Sequence, residues 1–89
     1  MYVYILLCSN DRYYVGSTPD LYRRITEHRS AKNAATKNLL PIELVFSQQF
    51  SSLLEARRAE AWIKRQKDRS LVEKIIAHGT ILKNFSQPK

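Results

Sequence analysis

At 89 residues the chain has room for one domain around a thin hydrophobic core, and no apolar run reaches membrane-spanning length. Fifteen Lys and Arg against eight Asp and Glu give a formal charge of +7, which suits a polyanionic partner, most often nucleic acid. The lone cysteine, Cys8, excludes an internal disulfide or a zinc cluster. Without a secretion-type start, the expected location is the cytoplasm.

Tyr2 to Cys8 is apolar on both faces, the pattern of a buried strand. "SNDR" has the residues of a tight turn and "YYVG" reads as the returning strand of a hairpin. Thr18, Pro19 and Asp20 supply a capping hydroxyl, a first-turn proline and an acid, predicting a helix from Pro19 to Arg29. Residues 30–40 are polar and basic with weak periodicity, hence a loop or one short helical turn. After Pro41, "IELVFSQQF" predicts a third strand with Ile42, Leu44 and Phe46 on one face. Ser52 with Glu55, and Ser70 with Glu73, form two capping boxes, the second helix stopping at Gly79. The fold class is therefore α+β. A small three-stranded antiparallel sheet is flanked by helices in the order β-β-α-β-α-α, with one domain over residues 1–83 and a flexible tail at 84–89.

Polar residues occupy apolar positions in two of these helices. Leu21, Arg24, Ile25 and His28 share one face of the first, and Leu53, Ala56, Glu60, Ile63 and Lys67 one stripe of the second. Burying an unpaired charge costs several kcal/mol, so the pattern needs a cause. Taken singly, Arg24 snorkelling at an edge, His28 at a helix end and Glu60 in an ordinary ion pair are sufficient explanations. Taken together, an Arg, a His and a Glu on inner helix faces can converge over one sheet. Tyr2, Tyr4, Tyr13 and Tyr14 crowd the hairpin. Tyr4 and Tyr14 share a face if the loop has three residues, Ser9 to Asp11, and part if it has two, Asn10 and Asp11. Trp62, opposite the Glu60 stripe, packs against the last helix or offers a stacking platform, with packing favoured.

"VY" at Val3-Tyr4, "YVG" at Tyr14 to Gly16, "DLYRRITEH" at Asp20 to His28 and "RRAEAWIK" at Arg57 to Lys64 give a combined pattern. It resembles the GIY-YIG nuclease domain, and within it the small stand-alone bacterial branch of UPF0213-like proteins. The first tripeptide keeps only its tyrosine, and the asparagine that many members carry about one helix beyond the Glu has no counterpart here. The resemblance implies the catalytic set Tyr4, Tyr14, Arg24, His28 and Glu60. Tyr4 would take a proton from the attacking water and Tyr14 would bond the phosphate or a water. Arg24 would stabilise phosphoryl charge, His28 would assist the phenolate, and Glu60 would hold a single Mg²⁺ or Mn²⁺.

The implied function is a metal-dependent endonuclease of DNA, structure-dependent or weakly sequence-specific, with a role such as DNA repair. The alternative is a nucleic-acid-binding module, of DNA or RNA, with weak or absent turnover. A protein-interaction domain would leave the inner-face Arg and Glu unmotivated. Arg29, Lys32, Lys37, Lys64 and Arg65 are the expected backbone contacts. Nothing resembles a base-reading module, so specificity is expected to be low or to come from a protein partner.

Overall fold

The computed structural model describes residues 1–81 together with Lys83 and Phe85. Its elements are β1 (Tyr2–Leu7), β2 (Tyr13–Thr18), α1 (Leu21–Arg29), β3 (Glu43–Gln49), α2 (Leu53–Gln66) and α3 (Arg69–His78). The element order is the expected one. The strands form an antiparallel sheet in the order β2-β1-β3, so β1 is central and β2 lies at an edge. Central placement explains a strand apolar on both faces: Val3, Tyr4, Ile5 and Leu6 are all fully buried.

The hairpin loop has three residues. Cys8 N–H donates to Arg12 C=O at 2.9 Å, Asp11 N–H to Cys8 C=O at 3.0 Å, and Asp11 takes a left-handed φ of 67°. Asp tolerates that region better than most side chains because its short carboxylate bonds locally. The resulting register sets Tyr4 opposite Gly16 and Leu6 opposite Tyr14, so both tyrosines face the same side.

The third strand departs from expectation. Ile5 opposes Phe46 but Leu6 opposes Leu44, leaving Val45 as an extra residue in a bulge. Ile42 and Leu44 therefore pack with Tyr4, Leu6 and Cys8, while Phe46 packs on the other face with Val3 and Ile5. The expected common face of Ile42, Leu44 and Phe46 is corrected accordingly.

Two caps also move. The α1 N-cap is Asp20, whose carboxylate accepts from Arg23 N–H at 3.1 Å. Thr18 instead ends β2, pairing with Tyr2, and its hydroxyl accepts from Asp20 N–H. Asp caps as well as Thr, and the strand ladder had already claimed the threonine. At α3, Asp68 rather than Ser70 is the cap, and Glu73 pairs with Arg69 at 3.2 Å. At α2 the expected Ser52 cap is present, accepting from Glu55 N–H. Gly79 ends α3 with φ 79°, as its sequence position implied.

The helices cover both faces of the sheet. Ile25 and His28 of α1 are buried on the Tyr4 side, while Ala56, Ala59 and Ile63 of α2 and Val72 and Ile75 of α3 join the Val3 side. Trp62 packs against the Val3-side core, its ring centroid 5.9 Å from Phe85, a residue beyond the last helix. Of the expected tail, residues 84 and 86–89 lie outside the described residues, whereas Phe85 is buried against Phe50 and Trp62. Among the described residues no helix is long and apolar enough to cross a membrane. Cys8 is buried just past the end of β1, and burial pushes its thiol pKa up.

Candidate active site

Gly16 explains the position of Tyr4. A Cβ at residue 16 would stand 2.6 Å from Tyr4 Oη and 2.7 Å from Cζ. Only a glycine lets the phenol ring lie flat across the backbone of β2. There Tyr4 Oη makes a 2.9 Å hydrogen bond with His28 Nε2, and the Arg24 guanidinium lies beside it. The half-buried Tyr14 completes the aromatic group, its ring centroid 6.3 Å from Tyr4 and 5.2 Å from His28.

Electrostatics sort these groups. Burial pushes the Tyr4 phenol up to about 12, opposed by Arg24. His28 is held below the ordinary imidazole range, by burial first and by Arg24 second, so its ring is neutral at neutral pH. Arg24 is partly exposed and pairs with Glu27 at 3.3 Å, at the mouth of a small pocket beside the N-terminus of α1.

Thr36 is the residue that sequence reasoning missed. It comes from the turns after α1, is fully buried, and its Oγ1 lies 2.6 Å from His28 Nδ1. Nothing in "AATKN" marks it, because loop conformation leaves no periodic trace.

Glu60 arrives from the opposite side. Its Oε1 accepts from Ser17 Oγ at 2.5 Å and its Oε2 from Lys64 Nζ at 2.6 Å. Ser17 stands opposite Val3, so it belongs to the face covered by α2. The groups expected to converge over one sheet are divided between its two faces and meet around the edge strand β2. Tyr4, Tyr14, Arg24 and His28 come from the α1 side and Glu60 from the α2 side, close enough for its charge to act on Tyr4. Alternation along β2 produces this, since Tyr14 and Gly16 face one way and Ser17 the other.

Among the described residues no three His, Cys, Asp or Glu side chains cluster, so Glu60 offers a divalent ion one carboxylate. That donor set fits a hydrated Mg²⁺ held by one carboxylate and substrate phosphate, and does not make an all-protein cage. Arg29 ends α1, Lys32 and Lys37 lie in the turns after it, and Lys64 and Arg65 occupy the last turn of α2; all five are exposed. They make two groups, since α1 and α2 cover opposite faces. Arg58 and Arg69 have internal duties: Arg58 reaches Phe85 C=O, and Arg69 donates to Asp11 C=O and lies 4.6 Å over the Tyr13 ring.

The family model for the GIY-YIG catalytic domain matches residues 1–74. The chain belongs to the GIY-YIG family. A UPF0213 protein of Streptococcus pneumoniae serotype 4 is 45% identical over 67 residues, 74% of this chain and 68% of that protein. One from Lactococcus lactis subsp. cremoris is 34% identical over 85 residues, 94% of this chain and 87% of its own length. The solution NMR structure of a UPF0213 protein from Bacillus halodurans superimposes with a TM-score of 0.57 at 39% identity, covering 85% of this chain and 81% of that one. The three-stranded sheet and its helices are thus the architecture of a GIY-YIG domain.

Proposed function

We propose that this chain is a metal-dependent endonuclease of DNA whose reaction centre is the edge of β2. The observation that carries this reading is the setting of Tyr4 Oη, bracketed by a neutral imidazole and a guanidinium in a buried site. In the neutral chain of Thr36, His28 and Tyr4, three protons must share two contacts, so one donor is left without an acceptor in the chain. Loss of the Tyr4 proton satisfies every contact: Thr36 O–H donates to Nδ1, and Nε2–H and Arg24 donate to the phenolate. That arrangement suits a base. Burial opposes it, which leaves Tyr4 weakly acidic until the substrate is bound.

Tyr4 is fully enclosed, and of the groups around its oxygen His28 and Gly16 are buried while Arg24 is partly exposed, so the attacking water would approach from the Arg24 side. Arg24 would then hold a phosphoryl oxygen through a permanently charged fork, and Tyr14 would bond the same phosphate or the attacking water. Glu60 would hold a Mg²⁺ or Mn²⁺ ion, which supplies Lewis-acid stabilisation of the phosphoryl charge and the leaving alkoxide. The basic surface supports sequence-independent backbone binding, so substrate choice follows DNA structure or a protein partner.

One contact favours the alternative of a binding module with slow turnover. Lys64 pairs with Glu60 at 2.6 Å, with the Glu60 side chain 21% exposed, so a cation already sits where the ion would bind. Nicking of supercoiled plasmid in Mg²⁺ or Mn²⁺ separates the two. Cleavage abolished by EDTA and lowered about 10²- to 10³-fold in Arg24→Ala supports the nuclease. Salt-sensitive binding without cleavage supports the module, and unchanged turnover in Arg24→Ala removes Arg24 from the mechanism.

A further inference from the structure

A second cleft, about 500 Å³, lies where the start of β2 meets the end of α2 and the start of α3. Its floor is apolar, from Val15, Ile63 and Val72, and Tyr13 and Tyr14 line it. Four cations stand around it, Arg12, Lys64, Lys67 and Arg69, against one carboxylate, Asp68, which is engaged in capping α3. The cleft is continuous with the reaction centre, because Tyr14 belongs to both and Lys64, 6.0 Å from the Tyr14 ring centroid, also bonds Glu60. Arg69 is held by Asp11, Tyr13 and Glu73 and acts as a strut. Arg12 and Lys67 are exposed and make no ion pair among the described residues.

Lys67 carries an independent signal. It is the C-cap of α2 and adopts φ 49°, ψ 42°. Glycine is the residue that takes this left-handed conformation without a Cβ clash, so a lysine here is strained where glycine would not be. Strain retained at a cleft rim points to a use for the side chain.

We propose that this cleft is a DNA-backbone site, with Arg12 and Lys67 binding phosphates of the strand next to the scissile position. This rests on the nuclease reading, and places the strand on the α2–α3 side of β2, away from Arg29, Lys32 and Lys37. The test is fluorescence anisotropy of a labelled DNA duplex with a single-stranded overhang, in EDTA and over a series of KCl concentrations, so that no cleavage is needed. Lys67→Gly and Arg12→Gln should each weaken binding and lower the slope of log affinity against log salt by about 1. Lys67→Gly should do so while melting at or above the wild-type temperature. Lys74→Gln, a charge removed from α3 outside this cleft, should leave the slope unchanged. Wild-type slopes in both Lys67→Gly and Arg12→Gln, or an equal loss in Lys74→Gln, would overturn the site while leaving any cleavage activity standing. A wild-type protein that binds no DNA would overturn the site and the nuclease reading together.

Discussion

Tyr4 and Gly16 depend on each other as a pair in which a missing side chain is the functional group. The ring occupies the volume a Cβ would take, and the enclosed ring has no direction in which to retreat. Gly16→Ala should therefore destabilise the fold by about 1–3 kcal/mol, the usual cost of overpacking a core. Thermal unfolding would show it, and an unshifted melting temperature would mean the ring is free to move. Arg24, His28 and Glu60 were legible in the sequence because each interrupts an apolar stripe at helical spacing. Their placement shows what periodicity omits: it identifies an inner face but not which side of the sheet that face covers, so it leaves open that Arg24 and Glu60 lie on opposite sides. By spacing Lys67 belongs to the α2 stripe, yet it lies past the last helical residue, where the backbone has already turned left-handed. Thr36 was invisible for a simpler reason, since a hydroxyl in a polar loop carries no pattern.

At the level of elements, the geometry of the site depends on the parity of one turn. The three-residue loop closed by Asp11 places Tyr4 and Tyr14 on one face; a two-residue loop would separate them. Deleting Asn10 should part the tyrosines and eliminate the contact between the Tyr14 and His28 rings, read as lost NMR cross-peaks between them. Inserting a Gly-Ser pair instead keeps the loop odd and should keep the contact; equal behaviour of the two variants would count against a parity-controlled site. The sequence left this turn open between two lengths, because Asn10 and Asp11 suit both. The Val45 bulge was hidden in the same way: "LVF" is apolar throughout, and the extra residue that switches Phe46 to the other face leaves no mark in hydropathy. Caps were misplaced by two residues where a second good capping residue stood nearby, Asp20 after Thr18 and Asp68 before Ser70.

For the whole molecule, the order of strands matters most. With β2 at the edge, side chains from both layers of helices reach around it, and a substrate can approach without displacing the core. The net charge of +7 supplies long-range attraction for a polyanion, and the proposed place for it to act is the β2 edge with the cleft beside it. Architecture and family were legible from the motifs and their order; the proposed chemistry also requires Glu60 to hold the metal ion. Plasmid nicking by Glu60→Ala beside the wild type in Mg²⁺ tests that most directly, with circular dichroism confirming that the variant is folded. The account predicts that the wild type nicks and the folded variant does not. Equal nicking by both would contradict it.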